Sequence, residues 1–169
     1  MIDLCSGLGG ASLAMSRRGW RVVTVDINEK FMPEIVIDIR NWIWYGDTPD
    51  LVWCSPPCVE FSRESMPWTR KGKNPDMSVI QACLRIIDEC RPKFWILENV
   101  RGAVKWLGKE NLKIGSFYLW GKLPKIRNVE VTWKKKESYG SCEREVRAKI
   151  PFEISLAFAE AIEYNLLGG

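Results

Sequence analysis

A cysteine and a glutamate, each placed just after an apolar run, are the residues best suited to do chemistry in this sequence. Cys58 follows the run 51–54 and two prolines, which fix the backbone that carries the thiol. A thiolate held there could add to an electrophilic carbon. Glu98 follows the run 94–97, and partial burial at that position would favour its protonated form, so it is a candidate proton donor.

Each of these two residues also has an ordinary structural explanation. Cys58 could be a small buried apolar side chain, and Glu98 could pair with a neighbouring arginine. Both follow runs that are typical of parallel strands, so we expect them at the same edge of a sheet, facing one ligand. That shared placement favours the catalytic interpretation.

A glycine-rich turn near the N-terminus is suited to a nucleoside-bearing cofactor. Gly7, Gly9 and Gly10 stand between an apolar run and a helical segment, where the backbone can approach a ligand and helix N–H groups are unpaired. Asp26 ends a β-branched run, where it could accept hydrogen bonds from ribose hydroxyls, and Asp38 ends another, where it could receive an adenine amino group. A tight turn with two solvated acids is the alternative, and the pattern also leaves nicotinamide binding open.

The elements that would position these residues alternate between strand and helix. Apolar or β-branched runs predict strands over residues 1–5, 21–26, 35–38, 51–54 and 94–97. Helical spacing predicts helices over residues 11–18 and 77–90. The alternation predicts an α/β fold with a doubly wound, mostly parallel sheet, whose ligands bind beyond the carboxyl ends of the strands.

The C-terminal third follows a less regular pattern. It predicts strands over residues 116–120 and 129–133, a polar loop over 134–147, and a closing amphipathic helix that begins at Pro151. The apolar stripe of that helix comprises Ile154, Phe158, Ala161, Ile162 and Leu166.

Composition excludes several mechanisms. The 169 residues include no histidine, so acid–base chemistry must use carboxylates, cysteine, lysine, tyrosine or water. The six cysteines lie mostly in apolar runs rather than in a loop-rich framework, so we expect reduced thiols and no metal site. A net charge of +4 permits contact with a polyanion without identifying one.

Length and composition predict one compact domain over residues 1–169. No apolar run approaches the roughly 18 residues that a membrane span requires. The N-terminus also lacks the layout of a secretory signal. We therefore expect a cytoplasmic protein with no membrane partner.

Several ordered motifs resemble those of the cytosine-5 DNA methyltransferase family. Residues 3–10 resemble its cofactor loop, residues 56–62 its nucleophile loop and residues 98–100 its carboxylate motif. Residues 147–151 and the following helix resemble its closing motif, which returns to the cofactor pocket. The resemblance implies a Rossmann-like, S-adenosylmethionine-dependent methyltransferase fold with DNA as the partner.

The resemblance also implies residue roles. Cys58 would add to a cytosine flipped out of the duplex, Glu98 would protonate its nitrogen 3, and carbon 5 would take the methyl group. The cofactor S-adenosylmethionine would be bound by Asp3, Cys5, Gly7, Gly9, Gly10, Asp26, Ile27, Asp38, Ile39 and Pro56. The substrate would be contacted by Pro57, Ser62, Arg63, Asn99 and Arg127.

The sequence departs from the family pattern in its second half. No clear Gln-x-Arg-x-Arg motif follows the carboxylate, and Arg127 is only a weak substitute. No room for a target-recognition domain exists between Trp133 and Arg147, so sequence readout is minimal or supplied by a separate specificity subunit or a homo-oligomer.

Aromatic and basic residues outside these motifs could contact nucleic acid. Trp68 could contact a base or act as a lid residue. Basic residues that could contact phosphates are Arg63, Arg70, Lys71, Lys73 and residues 134–136, with solvated surface charge as the alternative.

Two further hypotheses stay open on the sequence. The same chemistry could act on RNA, single-stranded DNA or a free nucleotide, because the recognition domain is missing. The chain could instead be a cofactor-binding subunit that needs a partner, because the arginine motif is missing.

Overall fold

The computed structural model describes residues 1–62, 74–127, 129, 131 and 148–168. A seven-stranded mixed sheet lies at the centre of this part of the chain, in the order β3-β2-β1-β4-β5-β7-β6. The strands are β1 (Ile2–Leu4), β2 (Val23–Asp26), β3 (Ile35–Val36), β4 (Leu51–Cys54), β5 (Phe94–Asn99), β6 (Leu112–Ile114) and β7 (Phe117–Lys122).

The first five strands are parallel, whereas β7 is antiparallel to both of its neighbours. Strand order reverses at β1, which has β2 on one side and β4 on the other. Ligands of doubly wound sheets bind beyond the carboxyl ends at this reversal. The predicted α/β class with a doubly wound, mostly parallel sheet is confirmed.

Five α-helices are found among the described residues. They are α1 (Leu13–Arg17), α2 (Val59–Ser62), α3 (Ser78–Cys90), α4 (Val104–Leu107) and α5 (Phe152–Leu166). Short 3₁₀ turns occupy Glu29–Phe31, Ile39–Asn41 and Arg101–Ala103. None of the helices in this part of the chain is long and apolar enough to cross a bilayer.

Strand β4, at the middle of the sheet, is apolar throughout because both faces of the sheet are covered there. Successive side chains of a strand point to opposite faces, so Val52 packs into the core cluster that includes α3 residues, whereas Trp53 packs into the cluster that includes α1 and α5 residues. Trp53 meets Phe158 of α5 edge to face, with ring centroids 5.3 Å apart. Such a pair adds about 0.5–1.5 kcal/mol to the burial itself.

The closing segment returns to the N-terminal helix. Ser155, fully buried in α5, accepts a hydrogen bond from the Ala14 N–H (3.1 Å) and donates one to the Ala11 carbonyl (2.7 Å). Just before α5, the Ile150 backbone packs so closely on Gly10 that a Cβ there would lie 2.6 Å from the Ile150 oxygen. The predicted contact between the closing motif and the glycine loop is therefore present.

The later elements differ from the sequence expectations in several places. The strand expected over 116–120 is β7, and β6 was not predicted. Residues 129 and 131 are not in a strand, so the strand predicted over 129–133 is wrong at these two positions, while its other residues and the loop 134–147 lie outside the described residues. In α5, Ile154, Phe158 and Ile162 are buried as expected, but Leu166 is exposed in the last turn.

Candidate active site

The glycine loop turns sharply at the end of β1. Cys5, Gly7 and Gly9 all have left-handed backbones, with φ values of 56°, 51° and 66°. Glycine adopts this conformation without penalty, whereas Cys5 has a Cβ and is held in an uncommon backbone region. The Ser6 N–H donates to the Val25 carbonyl at 3.1 Å, which joins the loop to the neighbouring strand.

Asp26 fastens the same loop to the end of β2. Its Oδ2 accepts a hydrogen bond from the Gly7 N–H and its Oδ1 accepts one from the Asn28 N–H, both at 2.9 Å. The residue is buried. A carboxylate oxygen has two lone pairs, so Asp26 can still accept hydrogen bonds from a ligand above the loop.

Asp3 lies beneath the loop rather than at its surface. It is fully buried, and within the described part of the chain neither carboxylate oxygen makes a hydrogen bond of normal geometry, although Ser12 is close enough to favour the charged form. Burial dominates and raises the pKa of Asp3 to about 7, and the charge of Asp26 adds to the rise. Asp3 alternates with Ile2 and Leu4 along β1, so it faces the side of the sheet that carries α1.

Asp38 and Ile39 lie at the edge of the sheet beyond β3. Asp38 accepts hydrogen bonds from the backbone N–H and the guanidinium of Arg40, and this contact lowers the pKa of the carboxyl group. Arg85 of α3 donates to the Ile39 carbonyl at 3.0 Å and to the Trp42 carbonyl at 2.8 Å. The turn that follows Asp38 is therefore held firmly against α3.

The loop that carries Cys58 is tied to the sheet at its start and to α2 at its end. The Ser55 N–H donates to the Leu4 carbonyl at 3.0 Å. The Cys58 carbonyl accepts hydrogen bonds from the N–H groups of Phe61 (3.1 Å) and Ser62 (2.8 Å), so Cys58 immediately precedes α2. Its side chain is half-buried, while Phe61 is anchored in the core.

Asn99 joins this loop to the strand that carries Glu98. Its side-chain amide donates to the Pro56 carbonyl at 3.1 Å, and its side-chain oxygen accepts from the Val100 N–H at 2.9 Å. Asn99 is fully buried and Glu98 is half-buried. Because Cys54 and Leu97 are partners in the β4–β5 register, Glu98 lies in β5 level with the start of the Cys58 loop.

A cleft of about 350 Å³ lies beside these two motifs. It is lined by Ser62, Val100, Arg101, Gly102, Lys113, Gly115, Ser116 and Tyr118. Arg101 and Lys113 are exposed cations, and Lys113 Nζ lies 5.3 Å from the centroid of the Tyr118 ring. Ser62 was predicted as a substrate contact, whereas Arg101, Lys113 and Tyr118 were not predicted as site residues.

The order and content of these motifs match a known family. A family model described as C-5 cytosine-specific DNA methylase matches residues 1–115, which is more than half of the chain. The chain belongs to this methylase family. The match contains the glycine loop, Cys58, Glu98 and both cations of the cleft.

Individual relatives support the family assignment. The chain is 32% identical over 115 residues to a Frog virus 3 protein named "Probable DNA (cytosine-5)-methyltransferase". This alignment covers 59% of the chain and 52% of the viral protein. It is 29% identical over 115 residues to the type II methyltransferase M.NgoMIV of Neisseria gonorrhoeae, covering 61% and 36%. It is 27% identical over 125 residues to the type II methyltransferase M.FnuDI of Fusobacterium nucleatum, covering 67% and 36%. The match thus spans about half or less of the length of these relatives.

In this methylase-family chain, the predicted cofactor residues are distributed over the loop and the neighbouring strand ends. Ile27 is exposed beside Asp26, whereas Ile39 and Pro56 are buried. Among the predicted substrate contacts, Pro57 is exposed and Ser62 lines the cleft. Arg63 and Trp68, together with the basic residues near them and residues 134–136, lie outside the described residues.

Arg127 and Asn99 stay predictions as substrate contacts, but the structure gives each a definite position. Arg127 is exposed beyond β7 and is not among the described residues that line the cleft. Asn99 uses its side chain to hold the Cys58 loop. The sequence offered one signal for the cleft, because Arg101 directly follows residues 98–100, but Lys113 and Tyr118 enter it only through the unpredicted β6–β7 pairing.

Proposed function

We propose that this chain transfers a methyl group from S-adenosylmethionine to carbon 5 of cytosine in DNA through a covalent adduct with Cys58. The observation that carries the proposal is the hydrogen bond from the Asn99 amide to the Pro56 carbonyl. It fastens the loop with the nucleophile to the strand with the acid, so one base can contact both. Family membership supplies the reaction class.

The glycine loop and the strand ends fit the cofactor. A Cβ added to Gly7 would meet nothing within 4 Å, so the loop leaves open space beside its backbone. Asp26, and Asp38 beyond it, would accept hydrogen bonds from the ribose hydroxyls and the adenine amino group. When bound, S-adenosylmethionine supplies an electrophilic methyl group.

The chain's own residues would make and break the covalent bond to the base. Cys58 Sγ would bond to carbon 6 while Glu98 donates a proton to nitrogen 3, which leaves carbon 5 nucleophilic. After carbon 5 is methylated, loss of its proton to water expels Cys58 as a thiolate, and Glu98 recovers the proton from nitrogen 3. Cysteine and glutamate suffice for these roles in a chain without histidine.

The test is transfer of radiolabelled methyl from S-adenosylmethionine to unmethylated duplex DNA, with the modified base identified by mass spectrometry. We expect label in 5-methylcytosine for the parent and none for Cys58→Ser. The matched control is Cys90→Ser, which changes a buried thiol at the end of α3 and should keep the activity. Methylation by Cys58→Ser at the parental rate would refute the assigned nucleophile.

A second candidate is a cofactor-binding subunit that needs a partner, either a specificity subunit or a second copy. It is favoured by the match to only about half or less of the length of the relatives. It predicts cofactor binding without turnover by the purified chain. Multiple turnovers by that chain alone would exclude this candidate, and a preference for RNA or single-stranded DNA in competition would redirect the first.

A further inference from the structure

The cleft beside the carboxylate strand is not accounted for by the cofactor site or the covalent chemistry. It lies between the Arg101–Ala103 turn and the β6–β7 hairpin, and its volume is about 350 Å³. This volume is at the small end of the range for ligand sites. The cleft is therefore large enough for part of a nucleic-acid backbone.

Two connections place the cleft next to the reacting groups. Ser62, on its rim, is one helical turn from Cys58, because its N–H donates to the Cys58 carbonyl at 2.8 Å. Val100, also on its rim, is two residues beyond Glu98 on the same segment. A substrate bound at Cys58 and Glu98 would thus extend into the cleft through its nearest backbone atoms.

The charged side chains that line the cleft are both positive. Arg101 and Lys113 both line it, and no carboxylate is found among its described lining residues. Neither cation forms a salt bridge within the part of the chain that the structure describes. The Tyr118 ring, 5.3 Å from Lys113 Nζ, keeps the ammonium group at the rim by a cation–π contact. Side-chain hydroxyls on Ser62 and Tyr118 add hydrogen-bond donors.

We propose that Arg101 and Lys113 bind backbone phosphate of the DNA strand that carries the target cytosine. An exposed pair of cations with hydroxyl donors recognises phosphate oxygens without reading a base. The proposal rests on the proposed function, because it takes DNA as the ligand. It adds a site that would position the DNA backbone next to Cys58 and Glu98. Such a site matters here because the match covers about half or less of the length of the relatives.

The experiment measures the affinity of the full chain for a mixed-sequence unmethylated DNA duplex between 50 and 200 mM salt. Each phosphate contact contributes about −0.9 to the slope of log affinity against log salt. When salt rises fourfold over this range, the affinity of every protein falls. For Lys113→Ala or Arg101→Ala this fall should be about 3.5 times smaller than for the parent, and for the double variant about 12 times smaller. Lys113→Arg should keep the parental slope because it keeps the charge.

Lys122→Ala is the matched control. Lys122 ends β7 beside the start of β5, where it pairs in register with Trp95, whereas the cleft lies beyond the other end of β5, so Lys122→Ala should leave the slope unchanged. Parental slopes in both alanine variants, an equal change in the control, or no DNA binding by the parent would each overturn the proposal. Binding is measured without turnover. If the alanine variants show the expected decrease in salt dependence but the parent transfers no methyl group, the result would count against the proposed function alone.

Discussion

Replacing Asn99 tests whether the site depends on the contact between its two halves. Asn99 is fully buried, its amide donates to the Pro56 carbonyl, and its side-chain oxygen accepts from the Val100 N–H. Asn99→Ala removes the side-chain amide that makes both contacts. The Pro56 carbonyl and the Val100 N–H then lack the hydrogen bonds that they make in the parent. The Cys58 loop then loses its side-chain anchor to β5.

The size of the effect follows from these two contacts. A buried polar group left without its partner costs about 1–3 kcal/mol, so the two groups left by Asn99→Ala should lower the free energy of unfolding by about 2–6 kcal/mol. A misplacement of about 1 Å at the reacting groups can cost on the order of 100-fold in rate. We therefore expect methyl transfer to fall by about that factor, while cofactor affinity stays near the parental value because the glycine loop is untouched.

Three measurements separate these effects. Urea unfolding gives the free energy, calorimetric titration with S-adenosylmethionine gives the cofactor affinity, and single-turnover labelling gives the rate. Asn165→Ala is the control, since its amide donates to the Ala161 carbonyl on an exposed helix surface, and it should change stability by no more than about 0.5 kcal/mol. A destabilised Asn99→Ala that transfers methyl within twofold of the parental rate would refute the positioning role.

Two further predictions concern the glycine loop. Gly10→Ala should lower the free energy of unfolding by about 1–3 kcal/mol and weaken cofactor binding, since its Cβ would lie 2.6 Å from the Ile150 carbonyl oxygen; urea unfolding and titration check this, and parental values in both would contradict the packing. Burial raises the pKa of Asp3 from 3.8 to about 7, so the folded chain binds the extra proton, and this residue makes the fold less stable as pH rises from about 4 to 7. Asp3→Asn should therefore gain stability relative to the parent across that pH range, by at most about 4 kcal/mol, and a constant difference in urea unfolding would rule out the titration.

The sequence predicted the part of the fold that is buried on both faces. Strands β4 and β5 pack into both core clusters, so residues 51–54 and 94–97 form continuous apolar runs that stand out without any alignment. The carboxylates and the thiol at their ends were predictable for the same reason, because parallel strands bring their carboxyl ends to one edge. Asp26 is at that edge and accepts a hydrogen bond from the glycine loop.

The features that were missed depend on contacts that the residues of the element itself do not reveal. Strand β6 has three residues with a lysine in the middle, a pattern too short and too polar to indicate a strand, and its existence depends on the hydrogen bonds of β7. Arg85 was not predicted either, because it acts by donating hydrogen bonds to two backbone carbonyls that are more than 40 residues away.

The two kinds of result have different consequences for the site. The residues that were predictable from local pattern are those assigned to covalent chemistry and cofactor binding, Cys58, Glu98 and Asp26. The residues that only the structure revealed, Asn99 as a tether and Arg101 with Lys113 as a cationic pair, determine where a substrate would lie relative to them. Changes to the tether should therefore alter the rate of methyl transfer, whereas changes to the cationic pair should alter the salt dependence of DNA binding, and the two sets of variants can be distinguished by measurements that do not share a readout.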